Sequence, residues 1–393
     1  MATEGCAADS GEFRRILMVQ LVVCAILPIG LAVKVAIESE HLFPDFFGLW
    51  SFGRYVLTHA PATIYDEHAL TAFQTGFGMH AERGVFGFFY PPWILLLLAP
   101  FGALPYGVAR VAWLVLTFGL YVAALTAWRW QRPVLALLLV APSSAMCLMV
   151  GQNGFVIAAL MLGGMRLLPT RPLVAGALLG ALACKPQFAV LVPFVLLFGR
   201  HWRAMAGAAL CVALLSLAAT LAFGVEIWAA WLAFLPSHAG TLTAGRTALL
   251  VMMPTVTSAV LLLGGSATVA HIAQGAAVLA AVLALWRVRA RQDIEAQAVL
   301  PLATILATPY AFHYDLPMVT GAVLAVIAAR IAMAGRFENL ELPLLLGCVV
   351  APVLLPARLG TATAIMPVIF AGALWMMARP RYRPRLSSSQ HVA

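Results

Sequence analysis

The stretch FFYPPWILLLLAPFGALPYG, residues 88–107, decides how this chain is threaded. It is apolar enough to enter a bilayer, yet Pro91, Pro92, Pro100 and Pro105 interrupt it. If it crossed fully, the cationic segment WRWQRP at 128–133 would fall outside. That would break the rule that Lys and Arg collect on the cytoplasmic side. A re-entrant or surface-lying course removes the conflict, because proline-broken backbone at depth is tolerated where protein or a cavity covers it.

With that choice, the apolar runs on either side fall into register. A first span over about 16–36 starts beside Arg14 and Arg15, and reads as an uncleaved anchor. Further spans are expected near 108–127, 133–150, 154–168, 172–184, 187–199 and 203–223. After a second outer loop, others follow near 266–286, 294–308, 314–334, 341–355 and 361–377. The expectation is an all-α polytopic membrane helix bundle of about twelve transmembrane helices with both termini cytoplasmic. One membrane domain covers 1–378. It carries a large first extracytoplasmic loop at 37–107 with re-entrant or interfacial helices, and a second outer loop at 224–265. A basic cytoplasmic tail occupies 379–393.

Composition supports this reading. The chain of 393 residues is 63% hydrophobic and only 10% charged, whereas a soluble domain is nearer half apolar and a quarter charged. The net charge of +9 does not point to nucleic acid. The arginines sit in short clusters between spans, such as Arg166 with Arg171, Arg200 with Arg203, and Arg287 to Arg291, as positive-inside loops do. The six cysteines lack metal-ligand spacing and lie mostly in apolar runs, so they read as small core residues. The histidines His41, His59, His68 and His80 share the first loop without HxxxH or HExxH spacing. No metal and no cofactor are expected.

The threading gathers the polar residues that interrupt apolar runs at one membrane face. Gln152 and Asn153 cap one pair of spans; Lys185 and Gln187 cap the next; Thr308, Tyr310, His313, Tyr314 and Asp315 cap a third. His238 and Arg246 fall in the second outer loop, and Asp45 begins the first. Ionisable groups at such depth are costly, and their default reading is functional. Lys185, one of two lysines, is followed by Pro186 and cannot easily snorkel past both neighbouring spans. It is expected to bind an anion or to pair with Asp315. The structural alternatives stay open: Asp45 after Pro44 is a plausible helix N-cap, and the glycines of GQNG and of the spans around Gly163, Gly176 and Gly180 could serve close helix packing.

Taken in order, five segments resemble glycosyltransferase family 87: PDFFGLWSFGRYVLTHAPATIYD (44–66), FYPPWILLLLAPFGALP (89–105), GQNGFVIAALMLGG (151–164), RPLVAGALLGALACKPQFAVLVPFVLLFGRHWRA (171–204) and LATPYAFHYDLPMV (306–319). The resemblance implies a GT-C type fold and a polyprenyl-phosphate sugar donor. It also implies inverting transfer of a hexose, in the family usually mannose, to a glycolipid or glycan acceptor. The enzyme would sit in the cell inner (plasma) membrane with its active site facing the periplasm or outside. By the same resemblance Asp45 is the general base, and His313 and Lys185–Gln187 belong to the substrate site. Arg246, Arg54 and Lys185 are candidates for the leaving phosphate. Tyr90, Gln152, Asn153 and Asp315 complete the expected substrate-binding set. The rival reading is a polytopic transporter or flippase, which would place charges near the bilayer centre and show paired halves.

Overall fold

A computed structural model describes residues 45–79, 86–125, 132–239, 247–332, 337, 340–354 and 360–379. The expected first span, Arg246 and the tail beyond Arg379 lie outside these residues. All regular structure among the described residues is helical, as expected.

Four helices are long and apolar enough to cross a membrane: Tyr106–Leu125, Trp202–Phe223, Ala267–Val288 and Thr361–Ala378. Their outer faces are bare. Leu210, Leu214, Leu217 and Leu221 of one helix are all more than half exposed, an apolar stripe of the kind a bilayer covers. Seven further apolar helices have 10–17 residues. At 1.5 Å per residue these reach about 15–25 Å, less than the ~30 Å hydrocarbon core. The expected twelve full crossings therefore reduce, by length, to four long helices among the described residues.

Proline accounts for much of the shortening. The expected span at 133–150 is two helices, Arg132–Val140 and Pro142–Val150, because Pro142 holds Ala141 in an extended conformation. The run at 172–184 ends in a 3-10 turn, Leu182–Cys184, just before Lys185 and Pro186. The next run divides into Pro186–Ala189 and Val192–Phe198.

The proline-rich stretch that decided the threading forms one nine-residue helix, Ile94–Gly102. It rises about 14 Å, too little for a crossing. It lies directly on the helix Phe46–Thr58: a Cβ on Gly53 would stand 2.2 Å from the Leu98 carbonyl oxygen, and one on Gly102 would stand 2.2 Å from the Arg54 nitrogen. The carbonyls at its end are met by side chains of that partner. Trp50 Nε1 donates to Leu104 O at 3.0 Å, and Arg54 Nη1 donates to Gly102 O at 3.3 Å. The protein itself thus satisfies backbone groups that lipid could not.

Small residues set the other close contact. Pro172–Ala181 packs on Trp202–Phe223 with backbone against backbone, since a Cβ on Gly176 would fall 1.9 Å from Ala204 O. At the arginine-rich end an ionic network joins four helices. Arg330 Nε donates to Glu295 Oε1 at 3.0 Å, and Arg330 Nη1 also bonds Glu341. Arg379 reaches Glu341 Oε1 at 3.3 Å, while Arg291 pairs with Asp293 at 2.8 Å and donates to Met377 O at 2.8 Å.

Candidate active site

At the opposite end of the bundle, the helix Gly154–Leu167 begins where three distant segments meet. The first carries Asp45, at the start of Phe46–Thr58. Its backbone is already helical and its carboxylate makes no cap hydrogen bond, so the N-cap reading of this residue fails. Asp66 shows the contrast: it caps its own helix, accepting from His68 N at 2.9 Å. The Asp45 carboxylate is left for other use.

The GQNG segment builds the junction. Gly151 adopts the left-handed conformation, φ 71°, that ends the helix Pro142–Val150. A Cβ there would meet Phe46 Cβ at 2.7 Å, so Gly151 lets the start of the Asp45 helix come close. Gly154 does the same for the third segment, since its Cβ would lie 1.7 Å from the Tyr314 carbonyl oxygen. Between them, Gln152 Oε1 accepts from Asn153 N at 3.2 Å, which leaves the Gln152 amide nitrogen to donate to Asp45. The buried Asn153 donates through Nδ2 to the Tyr90 hydroxyl at 3.3 Å. Tyr90 is itself anchored, its carbonyl accepting from Tyr65 Oη at 2.8 Å.

Lys185 and Asp315, 130 residues apart, form a buried ion pair of 2.7 Å. Pro186 holds Lys185 out of the helical conformation (ψ 87°), which breaks the helix at the lysine. The ammonium lies 5.5 Å from the Phe188 ring centre and 5.3 Å from that of Tyr314, within cation–π range of both. Asp315 sits in the 3-10 turn His313–Asp315, where Oδ2 accepts from Phe312 N at 3.0 Å. Both oxygens of this carboxylate are therefore committed, one to Lys185 and one to its own turn.

These charges act on Asp45. Burial raises its carboxyl from 3.8 to about 6; the Gln152 hydrogen bond and the Lys185 charge oppose the rise, and the Asp315 charge adds to it. A carboxylate that titrates near 6 is mostly ionised at neutral pH yet basic enough to take a proton. His313 is buried, and burial pushes it down to about 4 against a smaller opposing pull from the Met252 backbone, so it stays neutral.

Of the expected site residues, Asp45, Gln152, Asn153, Tyr90, Lys185 and Asp315 form one connected cluster. His313 flanks it through the Tyr314 ring, 5.2 Å between centres. Gln187 follows in the short helix Pro186–Ala189, partly exposed, with no bond to the cluster. Arg246 lies outside the described residues. Arg54 donates to the Gly102 carbonyl. Phe188 was not singled out in advance; its signal was the Lys-Pro-Gln-Phe spacing, which returns an aromatic ring beneath the lysine.

The cluster and its helices define an integral membrane protein with a partly exposed carboxylate at one end of the bundle. The family model described as Glycosyltransferase family 87 matches residues 88–309, more than half of the chain, and the chain belongs to that family. It is accordingly a membrane glycosyltransferase. The match takes in Tyr90, Gln152, Asn153, Lys185 and Gln187, while Asp45, His313 and Asp315 lie beyond its limits. No curated protein and no solved structure matches the chain.

Proposed function

We propose that this glycosyltransferase moves a hexose, mannose being the family's usual sugar, from a polyprenyl-phosphate carrier to a hydroxyl of a glycolipid or glycan acceptor. The reaction inverts the anomeric centre and takes place at the outer face of the plasma membrane. Asp45 accepts the proton of the attacking hydroxyl. The new C1–O bond forms on one face of the sugar while the C1–O bond to phosphate breaks on the other, and the polyprenyl phosphate leaves with the electron pair. Lys185 sets a positive potential beside the departing phosphate, and Asp315 holds that ammonium in place. Tyr90 and Tyr314 offer ring faces to the sugar.

The observation that supports this reading most is the state of Asp45: a carboxylate at a helix start that caps nothing and titrates near 6 beside a buried ion pair. A transporter is favoured less, because the ionisable groups gather at the ends of helices and not midway along them. The test is transfer from synthetic polyprenyl-phosphate mannose in detergent, with wild type beside Asp45→Asn. Loss of the base should cost about 10²–10⁴ in rate. Equal rates would remove Asp45 as the base, and use of a nucleotide sugar without any lipid carrier would remove the proposed donor.

A further inference from the structure

About 20 Å from Asp45, at the far end of the 14-residue helix Gly154–Leu167, the bundle holds a second concavity. It encloses about 50 Å³, where a single water needs only about 10–15 Å³. Met165, Leu168 and Leu285 form its apolar floor; Arg289, Gln297 and His201 are part of its polar rim. It touches no residue of the Asp45 cluster, and nothing in the sugar chemistry uses it.

Three observations define what fits there. Arg289 has no carboxylate partner among the described residues. Its guanidinium stacks 3.9 Å over the Trp286 ring and donates to Trp286 O at 2.7 Å, which fixes a full positive charge at the rim. Arg291, by contrast, is neutralised by Asp293 through two parallel bonds of 3.0 and 2.8 Å. Gln297 Nε2 donates to Gln292 O at 3.2 Å, while its Oε1 is buried and has no hydrogen-bond partner. An occupant must therefore bring an anion and, beside it, a hydrogen-bond donor.

The setting selects a lipid. The cavity lies at the end of Ala267–Val288, one of the four helices able to cross the membrane. Leu279, Leu283 and Trp286 form an exposed stripe along that helix, ending beside Arg289. Arginines 166, 200, 203 and 287 surround the same end of the bundle. We propose that this cavity binds the headgroup of an anionic phospholipid: its phosphate lies against Arg289, a headgroup hydroxyl donates to Gln297 Oε1, and its acyl chains run along the Leu279–Leu283–Trp286 stripe.

The test uses the full-length protein in nanodiscs of phosphatidylcholine containing a minor fraction of phosphatidylglycerol. Lipid retained after mild extraction is counted by native mass spectrometry. Wild type should keep phosphatidylglycerol about tenfold over its share of the bilayer. Arg289→Gln and Gln297→Leu should each cut that preference about fivefold. Arg203→Gln removes the same charge from an exposed position on the same face and should leave the preference unchanged. The proposal is overturned if wild type shows no preference, or if Arg203→Gln matches Arg289→Gln, which would make the effect diffuse surface charge. Inorganic phosphate should give no thermal stabilisation comparable to that of the lipid; an equal shift would assign the cavity to a free anion. Gln297→Leu keeps the net charge, so the question remains answerable if loss of Arg289 impairs folding.

Discussion

Replacing Gln152 with leucine isolates the electrostatics of Asp45. The side chain keeps similar bulk but loses the one neutral donor that favours the ionised carboxylate. A hydrogen bond to a charged group contributes about 1.5 kcal/mol. Losing it should move Asp45 from about 6 to about 7. A general base works only when ionised, so activity falls as the pH drops through this value. In wild type, about nine-tenths of Asp45 is ionised at pH 7 and about half at pH 6; in the variant, the corresponding fractions are about half and about one-tenth. The rate ratio of wild type to variant should thus grow from about one at pH 8.5 to about two at pH 7 and about five at pH 6. The assay is kcat/KM for sugar transfer between pH 5.5 and 8.5. The proposed polyprenyl-phosphate sugar donor is a phosphodiester and does not titrate in that range, so with it the acidic limb reports the enzyme. A uniform loss at every pH would mean that Gln152 only supports the fold of the GQNG turn. An unmoved limb would mean that Asp45 is not the titrating base.

Four other outcomes follow from the geometry. Because Asp45 binds its proton more tightly in the folded chain than its ordinary 3.8, folding stability should fall as the pH rises from about 4 to about 6. Asp45→Asn should remove that pH dependence from thermal unfolding in detergent while leaving the melting temperature at neutral pH no lower than in wild type. Asp315→Ala strands a buried ammonium and should cost about 3–5 kcal/mol, and adding Lys185→Met should recover most of it; a double variant as unstable as the single one would contradict the pairing. Gly154→Ala must displace the Tyr314 carbonyl, so kcat should fall together with a loss of about 1–3 kcal/mol, whereas Gly107→Ala, with open space around it, should cost nothing in either measure. Single cysteines at the exposed positions 59 and 290 should react with membrane-impermeant reagents from opposite sides, and labelling from one side would sink the proposed topology.

Helicity, membrane residence and the gathering of polar breaks at one end were legible because each depends on local composition. Leu210 to Leu221 announce lipid contact by their numbers alone, and Pro186 announces a break. The length of the helices was less legible. An apolar run of 18 residues reads as a span, and whether Pro142 merely kinks it or divides it depends on what receives the freed carbonyls. The role of Asp45 was ambiguous for a related reason. Pro-Asp before a helix predicts a cap, and only the approach of Gly151 and Gln152 from a segment 100 residues away shows the carboxylate turned to another use. Lys185 and Asp315 could be named as partners from residue type and threading. The Phe188 ring is signalled by the Lys-Pro-Gln-Phe spacing, but the Tyr314 ring beside the ammonium follows from tertiary packing and has no local signature.

Both ends of the bundle bury charge, and burial alone does not say which end does chemistry. The distinction lies in balance. At the arginine-rich end, Asp293, Glu295 and Glu341 meet Arg291, Arg330 and Arg379 in a chain of direct contacts, so each carboxylate is opposed by a guanidinium. Such a network ties the helices Ile294–Ala307, Pro317–Ala332, Glu341–Val350 and Met366–Ala378 together through directly paired charges. At the other end, two carboxylates face one ammonium. Asp315 takes the direct contact, and Asp45 is left with a neutral amide and a share of the Lys185 field. An arrangement tuned only for stability would have supplied Asp45 with a cation or replaced it with an apolar residue. Retaining a partly exposed carboxylate near its titration point, against the cost of its desolvation, is what a proton-transfer site requires. If the buried pair were opened by Asp315→Asn, the field raising Asp45 would weaken and the acidic limb of activity should move to lower pH, opposite in direction to Gln152→Leu. The two variants thus bracket the same carboxylate from both sides, and a limb that moved the same way in both would separate activity from Asp45 altogether.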